Sequence, residues 1–273
     1  MDPKTAEQLG HFRESLEEGR TYEYGERIKS TAKRLAQRGK NGDAMFLLLE
    51  GTRDLLARGD FESTVGMVLQ VIDIVGTNQQ EAVGLTAYFA DCYVKMPPVF
   101  REKFISKALK LCNTPQLYQA VAETLDREEN YVSAAVSYTQ SHWLKADDTL
   151  RLCASLERVI ALGYRSERDL FISRAALHLL CLSKPASAKE VLLRLAPTAT
   201  PLVNFTRTPH LGFLLQAIEV KNYKLVAYLK EKYDLSLRRD PSLKTYLAHV
   251  EKKYFGIEPP REGGLAGLLN LLA

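Results

Sequence analysis

The apolar residues of this chain recur at helical spacing almost from one end to the other. Residues 43–50 and 103–111, for example, place them at positions i, i+3, i+4 and i+7, which lines one face of an α-helix. The strict alternation of apolar and polar residues that is typical of strands is nearly absent, and no Asn-Gly or Asp-Gly pair separates two strand-like runs. The pattern predicts an all-α fold.

A short motif recurs where one predicted helix gives way to the next. A turn residue is followed by an aromatic residue in Gly19-Arg-Thr-Tyr22, Gly59-Asp-Phe61, Glu129-Asn-Tyr131 and Lys221-Asn-Tyr223. We expect a Gly or Asn to take the left-handed conformation in each turn, while the aromatic side chain packs against the neighbouring hairpin. The interval is near 40 residues from Tyr22 to Phe61 and longer afterwards. This spacing predicts a right-handed α-solenoid of roughly seven degenerate, tetratricopeptide-like helical hairpins.

Two stretches interrupt the helical pattern. Residues 196–210 contain three prolines and several β-branched residues, so we expect a structured loop or a short β-hairpin there. The stretch at residues 163–169 is the best candidate for a break within the chain. We therefore expect an N-terminal half at residues 1–160 and a C-terminal half at residues 161–273.

Composition excludes several classes of protein. The 37 Lys and Arg against 33 Asp and Glu give a net charge of +4, a small excess for a dedicated nucleic-acid-binding protein. The longest apolar stretches have about ten residues, half the length of a membrane span. The four cysteines show no metal-ligand spacing, so we expect buried free thiols at Cys92, Cys112, Cys153 and Cys181. We expect a cytosolic protein without a metal or other cofactor, a nucleic-acid partner or a membrane span.

The sequence contains no recognisable catalytic motif. None of the five histidines belongs to an HExxH pattern, and neither GxxxxGK[ST] nor GxGxxG occurs. His178 lies in an apolar run, where a core histidine is more typical than a general base. Asp147 and Asp148 are adjacent and so point about 100° apart on a helix, which makes them poor partners in acid–base catalysis. We expect no enzyme; a hydrolase on a helical frame would need a cleft of titratable groups with perturbed pKa values.

Two kinds of surface remain as candidates for function. Residues 27–40 carry six basic residues and no acidic one, which fits either a solvated helix face or a docking surface for an acidic partner. The second kind is apolar and comprises residues 211–220 and 263–273. The first of these stretches forms core or a binding groove, and the second folds back, packs on a partner or lies exposed.

The most specific pattern lies near the C-terminus. It reads Ser236-Leu-Arg-Arg-Asp-Pro241, Tyr246-Leu247, Tyr254-Phe-Gly-Ile-Glu-Pro-Pro260 and Gly263-Gly-Leu-Ala-Gly-Leu-Leu269. In the N-terminal half, Tyr22-Glu23 is followed by Lys29 and Arg34. Over about residues 15–272, the sequence resembles the family of Golgi to ER traffic protein four, the helical adaptor of tail-anchored protein targeting.

The resemblance implies a non-enzymatic α-solenoid adaptor with two binding ends. In the family, the N-terminal half docks a dimeric ATPase that carries tail-anchored proteins to the endoplasmic reticulum. The C-terminal half clamps the N-terminal segment of a ubiquitin-like-domain protein. Such an adaptor promotes transfer of tail-anchored clients to the ATPase for insertion into the ER membrane.

The resemblance also implies residues for the ATPase side. Tyr22, Lys29 and Arg34 match the family pattern, and Lys33 belongs to the same basic stretch. The family often has an Asp where this chain has Ser63, and we expect either Asp60 or Glu62 to take over that contact.

For the ubiquitin-like partner, we expect an apolar groove formed by a loop and the helix that follows it. Its candidate residues are Val203, Phe205, Phe213, Leu214, Ala217 and Ile218. The residues of the helix are equally compatible with solenoid core.

An alternative interpretation is a helical scaffold subunit of another large complex, proteasome-lid-like or initiation-factor-like. Such a subunit would be expected to carry a winged-helix or β-rich assembly module at its C-terminus. The sequence shows no pattern of that kind.

Overall fold

The computed structural model describes residues 2–141, 146–195 and 209–258, without the side chains of residues 146–148 and 209–210. The chain forms two compact units, Met1–Glu128 and Glu129–Ala273. Every regular element in the described residues is a helix, and fourteen of these helices are ten residues or longer. The all-α prediction is confirmed. Residues 196–208 of the predicted loop or hairpin lie outside the described residues.

Unit 1 (residues 1–128) is built from eight helices. They are α1 (Pro3–Glu17), α2 (Thr21–Gln37), α3 (Asn41–Arg58), α4 (Phe61–Val75), α5 (Gln79–Gly84), α6 (Thr86–Lys95), α7 (Pro98–Cys112) and α8 (Pro115–Arg127). From α1 to α4 each helix packs against the next, and α2 also packs against α4. The apolar face that the spacing predicts is buried, with Tyr24, Leu47 and Phe104 fully enclosed. Burial of such large side chains supplies much of the stability of the unit.

The first three turns of unit 1 are spaced twenty residues apart. Gly19, Gly39 and Gly59 all adopt the left-handed conformation, with φ of 79°, 75° and 75°. Glycine takes this conformation without a steric penalty, so each one ends a helix cleanly. The turn at Gly39 lacks an aromatic residue after it, which is why the recurring motif does not include it.

A polar cluster ties the first three helices together. The Tyr24 hydroxyl donates a 2.5 Å hydrogen bond to Asp54 Oδ2, and Arg13 Nε lies 2.8 Å from the same oxygen. Burial, and then the hydrogen bond to Asp54, raise the pKa of Tyr24 well above its usual value. Tyr24 is therefore a structural residue, although it lies only two positions after Tyr22.

Unit 2 (residues 129–273) contains the remaining helices. They are α9 (Tyr131–Ser141), α10 (Ala146–Leu162), α11 (Arg168–Cys181), α12 (Pro185–Leu195), α13 (Pro209–Glu219), α14 (Tyr223–Lys232), α15 (Asp234–Leu237) and α16 (Pro241–Phe255), with a 3₁₀ turn at Arg165–Glu167. Both α9 and α10 pack against α11, and α10 also packs against α12. Residues 129–160 therefore belong to this compact unit, whereas the expected halves divide at residue 160. The assignment of one binding function to each half stays a prediction.

Two turns of unit 2 use a residue that the motif does not predict. Glu129 and Lys221 adopt the left-handed conformation, with φ of 62° and 51°, and the Asn that follows each one does not. Instead, Asn130 and Asn222 accept hydrogen bonds from backbone amides three residues later. The expectation of a left-handed Gly or Asn is wrong here, because Asn is used as a cap for the free amides of the next helix.

Substitution of the left-handed residue should change stability in opposite directions in the two kinds of turn. Glu129→Gly is expected to raise the free energy of unfolding by about 0.5–1 kcal/mol, because it relieves the strain of a side chain at positive φ. Gly39→Ala is expected to lower it by about 1 kcal/mol for the same reason. Urea unfolding of both variants measures the effect, and a loss of stability in Glu129→Gly would contradict it.

Three of the four cysteines are buried, as the sequence predicts, and Cys181 is the exception. Cys92, Cys112 and Cys153 are buried free thiols, and Cys181 is half-buried. Burial raises the pKa of Cys92 to about 12 and that of Cys153 and Cys181 to about 11. Thiols with raised pKa values are poor nucleophiles at neutral pH.

His178 is a partly buried histidine with partners inside unit 2. The Gln140 side-chain amide lies 3.1 Å from His178 Nε2, and the imidazole stacks on the Tyr246 ring at 5.6 Å between ring centres. Burial, and then the charge of Lys184, lower the pKa of His178 below its usual value of 6.5. The imidazole is therefore neutral at pH 7 and belongs to the packing of the unit, as predicted.

This histidine should make stability depend on pH. Because the folded pKa is lowered, the unfolded chain takes up a proton before the folded chain does, and the free energy of unfolding falls as the pH drops through about 6.5. His178→Gln is expected to flatten the decline between about pH 7 and pH 5. His249→Gln, at an exposed position, serves as the control for the substitution itself. Equal pH profiles for wild type and His178→Gln would contradict the expectation.

Candidate partner-binding surface

One face of α2 presents a row of exposed and partly exposed side chains. Its opposite face is buried, and the row consists of Tyr22, Glu26, Lys29 and Lys33, at positions i, i+4, i+7 and i+11. We call this row the α2 stripe. Tyr22 is 72% exposed, which is unusual for so large a side chain. Lys29 Nζ lies 2.5 Å from Glu26 Oε1, whereas Lys33 has no ion-pair partner in the described residues.

The α2 stripe borders a groove that α4 completes. Gln70 Nε2 donates a 3.1 Å hydrogen bond to the Lys29 carbonyl, and Gly25 lies against Ser63, so the two helices run side by side in the same direction. The groove between them has a volume of about 760 Å³. From α2 it is lined by Glu26, Lys29, Ser30, Lys33, Ala36 and Gln37, and from the following elements by Asn41, Gln70, Asp73 and Ile74. It offers charges of both signs to a polar partner.

Arg34 lies on another side of α2. Successive residues are about 100° apart on a helix, so Arg34 points away from Lys33 and toward the side that carries Arg27 and Arg38. Its guanidinium donates a 3.1 Å hydrogen bond to Thr31 Oγ1. The structure therefore brings together Tyr22, Lys29 and Lys33 but not Arg34.

The two carboxylates near the start of α4 have different roles within unit 1. Asp60 accepts a 3.1 Å hydrogen bond from the Ser63 amide and so caps α4. Glu62 is exposed and forms a 2.8 Å ion pair with Lys103. Since a cap is needed for the helix, Glu62 is the carboxylate that is free to exchange its partner. The expectation that Asp60 or Glu62 takes over the family's contact at Ser63 stays a prediction.

Sequence reasoning missed Glu26, Gln70 and Asp73. Glu26 could have been found, because it lies one helical turn from both Tyr22 and Lys29. The two residues of α4 carry no local signal, because their position depends on how α4 packs against α2. Only the interval of about 40 residues between hairpins points to that pairing.

The expected residues of the C-terminal surface divide into accessible and buried positions. Phe213 is 46% exposed, whereas Leu214, Ala217 and Ile218 are buried in unit 2. Leu214 contacts a narrow void of about 10 Å³ among the side chains of α11, α14 and α16, as core residues do. Val203 and Phe205 lie outside the described residues. Of the helical candidates, only Phe213 is accessible to a partner without rearrangement.

Stacked helical hairpins of this kind define the class of α-solenoid proteins, whose extended surfaces are suited to binding other proteins. In the described residues, no group of His, Cys, Asp and Glu is arranged to hold a metal ion, and no helix is long and apolar enough to cross a bilayer. The family model of Golgi to ER traffic protein 4 matches residues 38–273, and the chain belongs to that family.

Individual relatives agree with the family match. The Golgi to ER traffic protein 4 homolog of Bos taurus is 30% identical over 97% of this chain and 85% of its own length. The Homo sapiens homolog is 29% identical over 96% of this chain and 84% of its own length. A crystal structure of C. therm. Get4 superposes with a TM-score of 0.70 at 17% identity, covering 98% of this chain and 95% of that one. The superposition confirms the predicted α-solenoid class.

Proposed function

We propose that this chain is a non-enzymatic, cytosolic adaptor of tail-anchored protein targeting. Its N-terminal half binds a dimeric targeting ATPase, and its C-terminal half binds the N-terminal segment of a ubiquitin-like-domain protein. By holding both partners, it promotes transfer of tail-anchored clients to the ATPase for insertion into the ER membrane. The observation that carries the proposal is the family match over residues 38–273.

The α2 stripe supports the ATPase side of the proposal. It combines an exposed aromatic side chain, Tyr22, with two lysines on one helix face. Aromatic anchors with flanking charges are typical of binding hot spots. An acidic surface on the ATPase would match Lys29 and Lys33, while Glu26 and Asp73 would restrict the orientation of docking.

For the ubiquitin-like partner, Phe213 is the accessible anchor. It lies on α13, whose neighbouring positions Leu214 and Ala217 are buried, so the helix is held firmly while Phe213 faces outward. A partner that covers Phe213 would bury a large apolar side chain, which favours association.

The alternative of a scaffold subunit receives no support from the described residues. A winged-helix or β-rich module would place strands after α12. Residues 209–258 instead form four helices, α13 to α16.

A pull-down from cytosol with the full chain as bait tests the proposed function. Mass spectrometry should recover a tail-anchor-targeting ATPase together with a ubiquitin-like-domain protein. Recovery of proteasome-lid or translation-factor subunits, with neither expected partner, would refute the proposal.

Substitutions at two neighbouring positions of α13 should distinguish an effect on partner binding from an effect on folding. Phe213→Asp is expected to reduce recovery of the ubiquitin-like partner at least tenfold and to leave ATPase recovery unchanged, because the side chain is exposed. Leu214→Asp places a charge in the core and is expected to lower stability by more than about 3 kcal/mol. Circular dichroism distinguishes the two outcomes. If Phe213→Asp keeps both partners, α13 is not the proposed surface.

A further inference from the structure

A second exposed row of charges lies on α14. Lys224, Tyr228 and Lys232 are spaced four residues apart on one side of the helix, and Lys221 precedes them in the turn. We call these four residues the α14 stripe. Tyr228 is 55% exposed, while Val226 and Leu229 on the opposite side are buried.

The lysines of the α14 stripe differ from other lysines nearby in their ion pairing. Lys230 pairs with Glu251 at 2.8 Å, and Lys244 pairs with Asp234 at 2.9 Å. In contrast, Lys221, Lys224 and Lys232 form no ion pair with any residue that the structure describes. Lys232 Nζ instead lies 5.5 Å from the centre of the Tyr228 ring. Three ammonium groups are thus available to an external anion, with Glu231 next to Lys232 and Glu219 two residues before Lys221.

Exposed apolar residues precede and follow these lysines in the chain. Leu235 is 81% exposed, and Val220 is 68% exposed. A shallow groove beside α14 is lined by Tyr223, Ala227, Lys230, Glu231 and Asp234, none of which belongs to the α14 stripe. The stripe is therefore a helix face that lies outside this groove.

The net charge of the sequence also differs between the two units. Residues 129–273 carry 20 Lys and Arg against 14 Asp and Glu, whereas residues 1–128 carry 17 against 19. The positive excess of the chain is thus confined to unit 2. A basic unit attracts anionic surfaces over a Debye length before any contact forms.

We propose that the α14 stripe docks this chain onto anionic phospholipid bilayers. A lipid surface is flat and needs no complementary groove, so it fits this exposed row of three lysines better than a folded peptide does. Tyr228 and Leu235 would enter the interfacial region, where aromatic and aliphatic side chains are favoured. Each lysine near an anionic leaflet contributes about fivefold in affinity, so the three together contribute about a hundredfold. This inference does not depend on the proposed adaptor function.

Co-sedimentation of the full chain with vesicles tests the inference. The chain should bind phosphatidylcholine vesicles that contain about 30% phosphatidylserine and should not bind pure phosphatidylcholine. The triple variant Lys221→Gln, Lys224→Gln, Lys232→Gln should lose about a hundredfold in affinity. The matched triple variant Lys4→Gln, Lys107→Gln, Lys110→Gln changes the net charge equally, at exposed positions of unit 1, and should bind as the wild type does.

The contribution of Tyr228 is tested separately. Tyr228→Ala should weaken binding severalfold by a factor that salt changes little, because the loss is apolar. Equal binding to neutral and anionic vesicles, or equal losses in the two triple variants, would overturn the inference. A gel shift of a short RNA by the wild type, without binding to the anionic vesicles, would overturn it in favour of nucleic acid.

Discussion

Replacement of both Lys29 and Lys33 by Glu is expected to weaken binding of the proposed ATPase partner about a hundredfold, or about 2.7 kcal/mol. Both ammonium groups lie on the α2 stripe, and their reversal turns attraction to an acidic surface into repulsion. Lys29 would also leave its ion pair with Glu26, so three carboxylates would crowd one helix face. Most of the loss should appear in the association rate, since charges at the rim of an interface act mainly on encounter.

Two controls make the result specific. Lys107→Glu with Lys110→Glu changes the net charge of unit 1 equally, on exposed positions of α7, and should change affinity by less than about threefold. Arg34→Glu alone tests whether the second side of α2 takes part. Surface plasmon resonance at several salt concentrations should show the difference between wild type and variant shrinking as salt rises. An undiminished affinity at low salt would show that the α2 stripe is only a solvated face.

The substitution Gly51→Val is expected to lower the free energy of unfolding by about 2–3 kcal/mol. Gly51 lies in α3 where that helix meets both α2 and α4. A Cβ at this position would lie 2.6 Å from Ile28 Cδ1 and 3.1 Å from Met67 Sδ, and both of these residues are fully buried. A branched side chain needs more room than one rotamer change of Ile28 provides, so the three helices must move apart.

Another glycine of the same helix is the matched control. Gly42 lies in the first turn of α3, and a Cβ added there would meet no atom within 4 Å. Gly42→Ala is expected to raise stability by up to about 1 kcal/mol, because Ala is the better helix former. Thermal unfolding compares the two variants. A destabilisation below about 0.5 kcal/mol in Gly51→Val would contradict the expectation, because it would mean that α2, α3 and α4 repack around the larger side chain at little cost.

Gly51→Val should also weaken ATPase binding, although Gly51 is buried and cannot contact a partner directly. The groove beside the α2 stripe exists only while α2 and α4 stay in contact, and Gly51 lies beneath that contact. Loss of binding without any change in a charged residue would link the packing of the hairpins to the surface they support.

Local patterns were sufficient to predict the helices and several of their ends. The spacing of apolar residues in α3 and α7 placed their buried faces correctly, because periodicity reports burial directly. The turns at Gly19 and Gly59 followed from residue type alone. The left-handed conformations of Glu129 and Lys221 could not be predicted from residue type. In these turns the following Asn caps the next helix, and this cap outweighs the usual preference for Gly at the left-handed position.

The candidate site was predictable only in part. The family resemblance pointed to Tyr22, Lys29 and Arg34, and the basic stretch added Lys33. Helical geometry alone separates Arg34 from the other three. Gln70 and Asp73 needed the packing of α4 on α2, which no local pattern encodes. The burial of Ala217 likewise depends on how α13 meets its neighbours, and apolar composition alone could not separate core from surface there.

The regular placement of Gly19, Gly39 and Gly59 has a consequence for how such a chain can change length. One residue inserted between Lys29 and Lys33 would rotate Lys33 by about 100° and remove it from the α2 stripe. An added hairpin of about 40 residues outside these turns would leave the row in phase. Relatives that keep the same docking face should therefore differ in length by whole hairpins or in loops, and seldom within the helices that carry the face.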